Sequence, residues 1–173
     1  MQDTIIFCHG LESSPTGAKY QALSDAGLQI RSPDFRGLNL QQRVDKLVPV
    51  LAGCRQEGNK VLLVGSSYGG ITAVLAAMAE PEAVGGMVLC APALGLTEPP
   101  AGGELEARVP VVIIHGTPDD VCPIRYSREF ARQPGVRLVE VDDGHRLSAS
   151  LPVIVEEVQL MLRSRTAPSA PGG

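Results

Sequence analysis

The sequence predicts an α/β fold built on a mainly parallel sheet, and three observations carry that expectation. Short apolar runs alternate with longer stretches of helical periodicity, the signature of β-α units. Two of the runs, Val61-Leu62-Leu63-Val64 and Val111-Val112-Ile113-Ile114, are apolar at every position, which suits strands covered by helices on both faces. The 173 residues frame a single compact domain at about 150 per domain, and 19 glycines and 14 prolines point to many tight turns.

The elements follow in order along the chain. The first strand, 4–8, is the run Ile5-Ile6-Phe7-Cys8, which stops at His9-Gly10. A helix over 16–26 leads to a strand over 28–32, and a longer helix over 40–56 leads to the strand over 61–65. The helix over 69–80 contains Ile71-Thr72-Ala73-Val74-Leu75-Ala76-Ala77, and a strand over 86–90 follows it. The connection 91–110 carries Pro92, Pro99, Pro100 and Gly102-Gly103; at 20 residues it is long for a compact domain, yet it leaves no room for a lid domain. A strand over 111–115, a helix over 124–132, a strand over 136–141 and a helix over 148–163 complete the series. The last helix places Leu151, Ile154, Val155, Val158, Met161 and Leu162 at helical spacing, an ordinary core stripe. Residues 164–173 are rich in breakers and cannot offset their ordering entropy, so they read as a loose tail on a domain spanning 1–163.

Composition removes several classes of function. A formal net charge of −4 lacks the basic stripe that a polyanion needs, and only six residues are aromatic, none of them tryptophan, so nucleic acid is not the expected partner. Cys8, Cys54, Cys90 and Cys122 show no C-x-x-C spacing and read as reduced thiols. No apolar stretch approaches the roughly 18 residues of a membrane span, and Asp3 breaks any signal-peptide pattern, so the expected location is the cytoplasm.

Chemistry enters directly after the strand over 61–65. Gly65-Ser66-Ser67-Tyr68-Gly69 is a G-x-S-x-G in the strand-turn-helix context that a nucleophile elbow requires, with Ser67 at its centre. Small neighbours permit the sharp turn, and the helix that begins there favours developing negative charge through its N–H groups. The alternative is a plain glycine turn or a phosphate loop, but a P-loop lysine is absent and the glycines fail the G-x-G-x-x-G order.

A serine needs a base, and histidine suits that work near neutrality. His9 and His115 each precede a glycine at a strand end and are expected to be packed. His145 lies on a loop after the last strand and is the expected base. The imidazole in turn needs an orienting carboxylate, for which Asp119 or Asp120 after the strand over 111–115 qualifies, and the chain order serine, aspartate, histidine is that of α/β-hydrolases.

With those residues in view, the sequence resembles the α/β-hydrolase superfamily over nearly all of 4–163. The stretch His115-Gly116-Thr117-Pro118-Asp119-Asp120-Val121-Cys122-Pro123 is similar to its H-G-x-x-D-x-x-V-P segment, a match that selects Asp119. His9-Gly10-Leu11 is similar to its oxyanion loop, and Pro33-Asp34-Phe35-Arg36-Gly37 to its P-D-x-x-G turn. More narrowly, His9-Gly10-Leu11-Glu12-Ser13-Ser14-Pro15 with Lys19 and the elbow resembles the short bacterial YqiA-like esterases. Two antiparallel strands that precede the oxyanion strand in the superfamily have no counterpart here, and neither does a cap. The resemblance implies a minimal α/β-hydrolase fold with six strands ordered 2-1-3-4-5-6, helices on both faces, and the site at the carboxyl edge.

The resemblance further implies a serine hydrolase of small carboxylic esters. In it Ser67 attacks, His145 takes the proton, Asp119 holds the histidine tautomer, and the backbone N–H groups of Leu11 and Tyr68 meet the oxyanion, with no cofactor and no metal. The short connection 91–110 favours short acyl chains in an open cleft; a lipase-like enzyme or an acyl-thioesterase is the alternative. Rival classes are a zinc hydrolase using His9, His115, His145 and Asp119, which lack H-E-x-x-H spacing, and a silent binding module of the same fold. Cys8 beside His9 is a further candidate nucleophile, although a cysteine in a buried strand is usually a core residue. Arg36 and Arg146 are cations available to an anionic substrate or to solvent. The pattern carries no information on oligomeric state.

Overall fold

Side chains alternate between the two faces of a strand, so a run that is apolar at every position needs cover on both. The computed structural model of the protein, which describes residues 4–95 and 103–166, supplies that cover. Its strands are β1 (Thr4–Cys8), β2 (Ile30–Arg31), β3 (Val61–Ser66), β4 (Val84–Cys90), β5 (Val111–Gly116) and β6 (Val136–Val141). The helices are α1 (Ala18–Asp25), α2 (Leu40–Gln56), α3 (Tyr68–Ala79), α4 (Arg125–Phe130) and α5 (Leu151–Thr166), with a 3-10 turn at Pro81–Ala83. The sheet order is 2-1-3-4-5-6 and every pair is parallel, as expected.

Two cores result, one on each side of the sheet. Ile6, Leu63, Met87 and Ile113 pack with Leu47 and Leu51 of α2, Val74 of α3 and Phe130 of α4. Their strand neighbours Ile5, Leu62, Val88 and Ile114 face the other way, onto Leu23 of α1 and Ile154 and Val158 of α5. Each fully buried aliphatic side chain contributes about 1.5–3 kcal/mol of transfer free energy. Helix α2 starts at a capping box, in which the Asn39 side chain accepts from the Gln42 amide at 2.9 Å and the Gln42 side chain accepts from the Asn39 amide at 3.0 Å. Helix α3 is buried from Gly69 to Ala77, so it runs inside the molecule rather than along its surface.

Element boundaries depart from the sequence reading in instructive places. Strand β2 is only two residues long, because Pro33 has no N–H to extend an edge ladder. Strand β4 begins two residues early: Val61 pairs with Val84 and Leu62 with Gly86, so Gly85 is the extra residue of a bulge that a periodicity count does not detect. Helix α1 and helix α4 are each shorter than expected at both ends. Helix α5 starts at Leu151 and continues to Thr166, three residues into the stretch read as tail; residues 167–173 lie outside the described residues. Among the described residues no helix is long and apolar enough to cross a membrane.

Candidate active site

Four strand ends converge at the carboxyl edge of the sheet, and each carries one of the residues singled out above. A single residue, Ser67, joins β3 to α3, and it holds φ 53° and ψ −116°, a left-handed conformation that costs a non-glycine residue about 1–3 kcal/mol. Backbone hydrogen bonds fix it there: its N–H donates to the Cys90 carbonyl at 2.9 Å, and its own carbonyl accepts from Gly70 at 2.9 Å and Ala93 at 3.0 Å. The turn folds α3 back so tightly that a Cβ on Gly65 would lie 2.6 Å from the Gly69 carbonyl, and a Cβ on Gly69 would overlap the Cys8 carbonyl. The glycine spacing of the motif therefore has a steric origin.

The hydroxyl of Ser67 lies 3.0 Å from Nε2 of His145, whose Nδ1 lies 2.8 Å from Oδ2 of Asp119. With the carboxylate as acceptor, His145 donates from Nδ1 and accepts the serine O–H at Nε2. Asp119 has no side-chain exposure, while the His145 ring retains 19%. Oδ1 of Asp119 accepts the amides of Val121 at 2.9 Å and Cys122 at 2.8 Å. Burial alone would raise this carboxyl, but the hydrogen bonds from His145 and from the two amides outweigh it and hold it below the usual range. Asp120 is exposed, one residue away.

The loop bearing His145 is pinned by a residue that sequence reasoning missed. Asp143 accepts the Gly144 amide at 2.7 Å through one oxygen, and the Ala149 amide and Ser150 hydroxyl, each at 2.9 Å, through the other. Lys19, part of the resemblance motif, donates to the Arg146 carbonyl at 2.9 Å and ties the same loop to α1. Cys122 was also missed: its sulfur lies 4.0 Å from the Ser67 hydroxyl, and burial pushes its thiol up to about 11.

On the other side of Ser67, a Cβ on Gly10 would lie 3.6 Å from the serine Cβ, so the segment leading to Leu11 runs alongside the elbow. Leu11 is 60% exposed. Tyr68 is the first residue of α3, and the opening N–H groups of a helix have no acceptor within it.

Both strand-end histidines are fully buried, as expected of packed residues. His9 accepts the Phe35 amide at Nε2, 2.8 Å, and donates from Nδ1 to the Gly10 carbonyl, 2.8 Å. His115 donates from Nε2 to the Cys122 carbonyl at 2.8 Å, and lies 3.1 Å from Oδ2 of Asp119, while its Nδ1 accepts the Ser127 hydroxyl at 2.7 Å. The i, i+4 spacing of the two residues sets that approach, while the Nε2 proton is directed to the Cys122 carbonyl. Among the described residues no three histidine, cysteine, aspartate or glutamate side chains are grouped to hold a metal ion. Cys8 sits in the core with its thiol pushed up to about 12 by burial, far from the thiolate a nucleophile needs. Arg36 is paired with Asp34, its Nη2 2.6 Å from the carboxylate, and holds that carboxyl below its usual range. Arg146 is exposed.

Burial lowers both His9 and His115 from the ordinary 6.5, so each stays neutral when folded but titrates normally when unfolded. The unfolded chain then binds more protons as pH falls below about 6.5. Stability from these sites is complete above that pH and is lost as pH drops toward the lowered folded values. The thermal midpoint is accordingly expected to fall between about pH 7 and 5, before the carboxylates titrate. A midpoint that stays level across that interval in scanning calorimetry would show the two rings to be protonated in the folded protein.

The connection between β4 and β5 is packed where it is described. Ala93 donates to Ser67, Leu94 is buried, and Leu105 packs on a cluster of Leu40, Ile71, Leu75, Ala93 and Cys122. Residues 96–102, the middle of the connection expected to leave the cleft open, lie outside the described residues.

A sequence profile of the alpha/beta hydrolase family matches residues 5–110. Comparison with curated proteins finds no match to the chain. Among solved structures, a protein from Xanthomonas campestris pv. campestris assigned to the alpha/beta hydrolase superfamily is 28% identical, with a TM-score of 0.81 over 94% of this chain and 99% of that one. Est1E from Butyrivibrio proteoclasticus is 20% identical, with a TM-score of 0.78 over 96% of this chain and 89% of that one. XC6422 from Xanthomonas campestris, described as a serine hydrolase without a lid, is 19% identical, with a TM-score of 0.79 over 98% and 84%. The last two likenesses are of fold.

Proposed function

The chain belongs to the alpha/beta hydrolase family, and from that premise we propose that it is a serine hydrolase of small carboxylic esters with short acyl groups. The observation that carries the reading is the hydrogen-bonded series Ser67, His145, Asp119 at the start of α3. In this mechanism Ser67 Oγ attacks the ester carbonyl carbon as its proton passes to Nε2 of His145. The resulting oxyanion is met by the N–H groups of Tyr68 and Leu11, each such donor being worth about 2.7–4 kcal/mol in barrier height. The imidazolium, steadied by Asp119, returns the proton to the departing alkoxide and leaves an acyl-serine. Water, deprotonated by the same histidine, then attacks the acyl carbon, releasing the acid and restoring Ser67. None of these steps calls on a cofactor.

Esterase activity, rather than another hydrolysis on the same fold, is supported by the likeness to Est1E, for which a structure with ferulic acid bound is known. The narrower likeness to short bacterial YqiA-like esterases rests on the residues from His9 to Pro15, on Lys19 and on the elbow. Preference for short acyl chains rests on the brevity of the connection after β4. Each buried methylene adds about 0.8 kcal/mol, so a deep acyl channel makes kcat/KM climb with chain length, whereas a shallow site levels off early. Across nitrophenyl esters from acetate to palmitate, kcat/KM is expected to level off at the short end. A steady climb would replace this reading with that of a lipolytic enzyme. A fluorophosphonate probe is expected to label Ser67, as located by peptide mass; a protein that takes up no label would be a silent member of the fold.

A further inference from the structure

Helix α2 presents Leu40, Arg43, Leu47, Leu51 and Cys54 along its buried stripe, and the arginine in that series is as inaccessible as the leucines. A guanidinium keeps its proton at any ordinary pH, so this is a buried positive charge. Among the described residues no carboxylate lies within ion-pairing distance of it. Its partners are instead backbone carbonyls and rings. Nη1 donates to the His9 carbonyl at 2.8 Å, Nη2 to the Gly10 carbonyl at 3.4 Å and Nε to the Leu38 carbonyl at 3.3 Å. The guanidinium carbon lies 5.5 Å from the centre of the Phe35 ring and 4.8 Å from that of Tyr68.

These contacts fall on both halves of the oxyanion-binding backbone. The Gly10 carbonyl and the Leu11 N–H belong to one peptide unit, and in a planar trans unit the two point in opposite directions. The carbonyl is drawn into the interior by Arg43 and by Nδ1 of His9. The N–H is thereby turned outward, on the side where Leu11 is exposed and Gly10 borders Ser67. The same guanidinium lies against the side chain of Tyr68, whose amide is the other donor.

We propose that Arg43 is a positioning residue for the oxyanion hole, aiming the Leu11 N–H through the Gly10 carbonyl and holding an uncompensated positive charge behind both donors. This rests on the serine-hydrolase reading. An interaction that acts only when the oxyanion forms lowers kcat and leaves KM in place.

The test compares the full-length protein with Arg43→Met, close in length but uncharged, and Arg43→Lys, which keeps a charge and one donor. For a short nitrophenyl ester, Arg43→Met is expected to lose about 100-fold in kcat with KM changed less than about threefold, the scale of a lost oxyanion donor. Affinity for an alkylboronic acid, which forms a tetrahedral adduct on serine, is expected to fall in parallel, and Arg43→Lys to recover about tenfold of the loss. A folded Arg43→Met with wild-type kcat and boronic acid affinity, or with its whole loss in KM, overturns the proposal. If Arg43→Met does not fold, Arg43→Lys decides: a kcat about tenfold below wild type at constant KM supports it, and a wild-type kcat overturns it. If the wild-type protein neither hydrolyses esters nor reacts with a fluorophosphonate, the serine-hydrolase reading fails on its own. The NMR order parameter of the Leu11 amide then still tests the positioning role, since greater motion in the variants supports it and unchanged order overturns it.

Discussion

Ser67→Ala is expected to lower kcat about a million-fold, the loss seen when a serine protease surrenders its nucleophile, and to abolish fluorophosphonate labelling. Folding should survive the change. Alanine adopts the same left-handed backbone at a similar cost, and the three backbone hydrogen bonds that hold residue 67 use no side-chain atom. Ser66→Ala is the matched control, because Ser66 ends β3 while Ser67 forms the turn. Circular dichroism together with ester turnover reads both variants. Retention of labelling in Ser67→Ala would move the nucleophile elsewhere.

Asp119→Asn is expected to cost about 10⁴ in kcat, and Asp120→Asn very little. The reason lies in what surrounds the Asp119 carboxylate. The Val121 and Cys122 amides donate to one oxygen and Nδ1 of His145 to the other, with the His115 ring alongside. Both oxygens accept, so an asparagine must turn its NH₂ group either against the two amides or against the rings. Facing the rings, it drives His145 to the tautomer with the proton on Nε2, which cannot accept from serine. Facing the amides, it leaves the Val121 and Cys122 N–H groups without their acceptor, which costs stability, and it still removes the charge that steadies the imidazolium. Asp120 is exposed and has no such shell. Parallel kinetics and thermal melts of the two variants check the ranking, and a larger kinetic loss in Asp120→Asn would reassign the role.

Which parts of this arrangement could be read in advance follows from how local their causes are. The elbow was legible because its signature lies within five residues: a sharp turn admits only glycine where α3 passes over β1 and β3. The continuous apolar strands were legible because cover on both faces leaves no polar position. The choice between Asp119 and Asp120 was not legible from residue type, since the Val121 and Cys122 amides that orient Asp119 toward His145 are a feature of the folded loop, and only the family resemblance selected between them. Arg43 was missed because an arginine in an amphipathic helix is ordinarily read as solvated. Its signal was present in the spacing, three residues after Leu40 and four before Leu47, on the face that packs inward. The bulge at Gly85 was not legible because one extra residue in a strand leaves no mark on an apolar periodicity count.

The all-parallel sheet also bears on when the site comes into being. Parallel strands pair only across crossover connections, so most of the pairings that define the fold are distant in the chain and form slowly. The elbow at Ser67 needs β3, α3 and the end of β1 together with the Cys90 carbonyl and the Ala93 amide that hold it, so its parts are all present by residue 93. His145 arrives with the loop after β6, held by the bond from Lys19 to the Arg146 carbonyl, which spans 127 positions. On the serine-hydrolase reading, a chain emerging from the ribosome therefore holds every part of its strained serine turn about fifty residues before it acquires the histidine that would make that serine reactive. In that interval the serine is unarmed, and on the same reading activity waits for the last stage of the protein's own assembly.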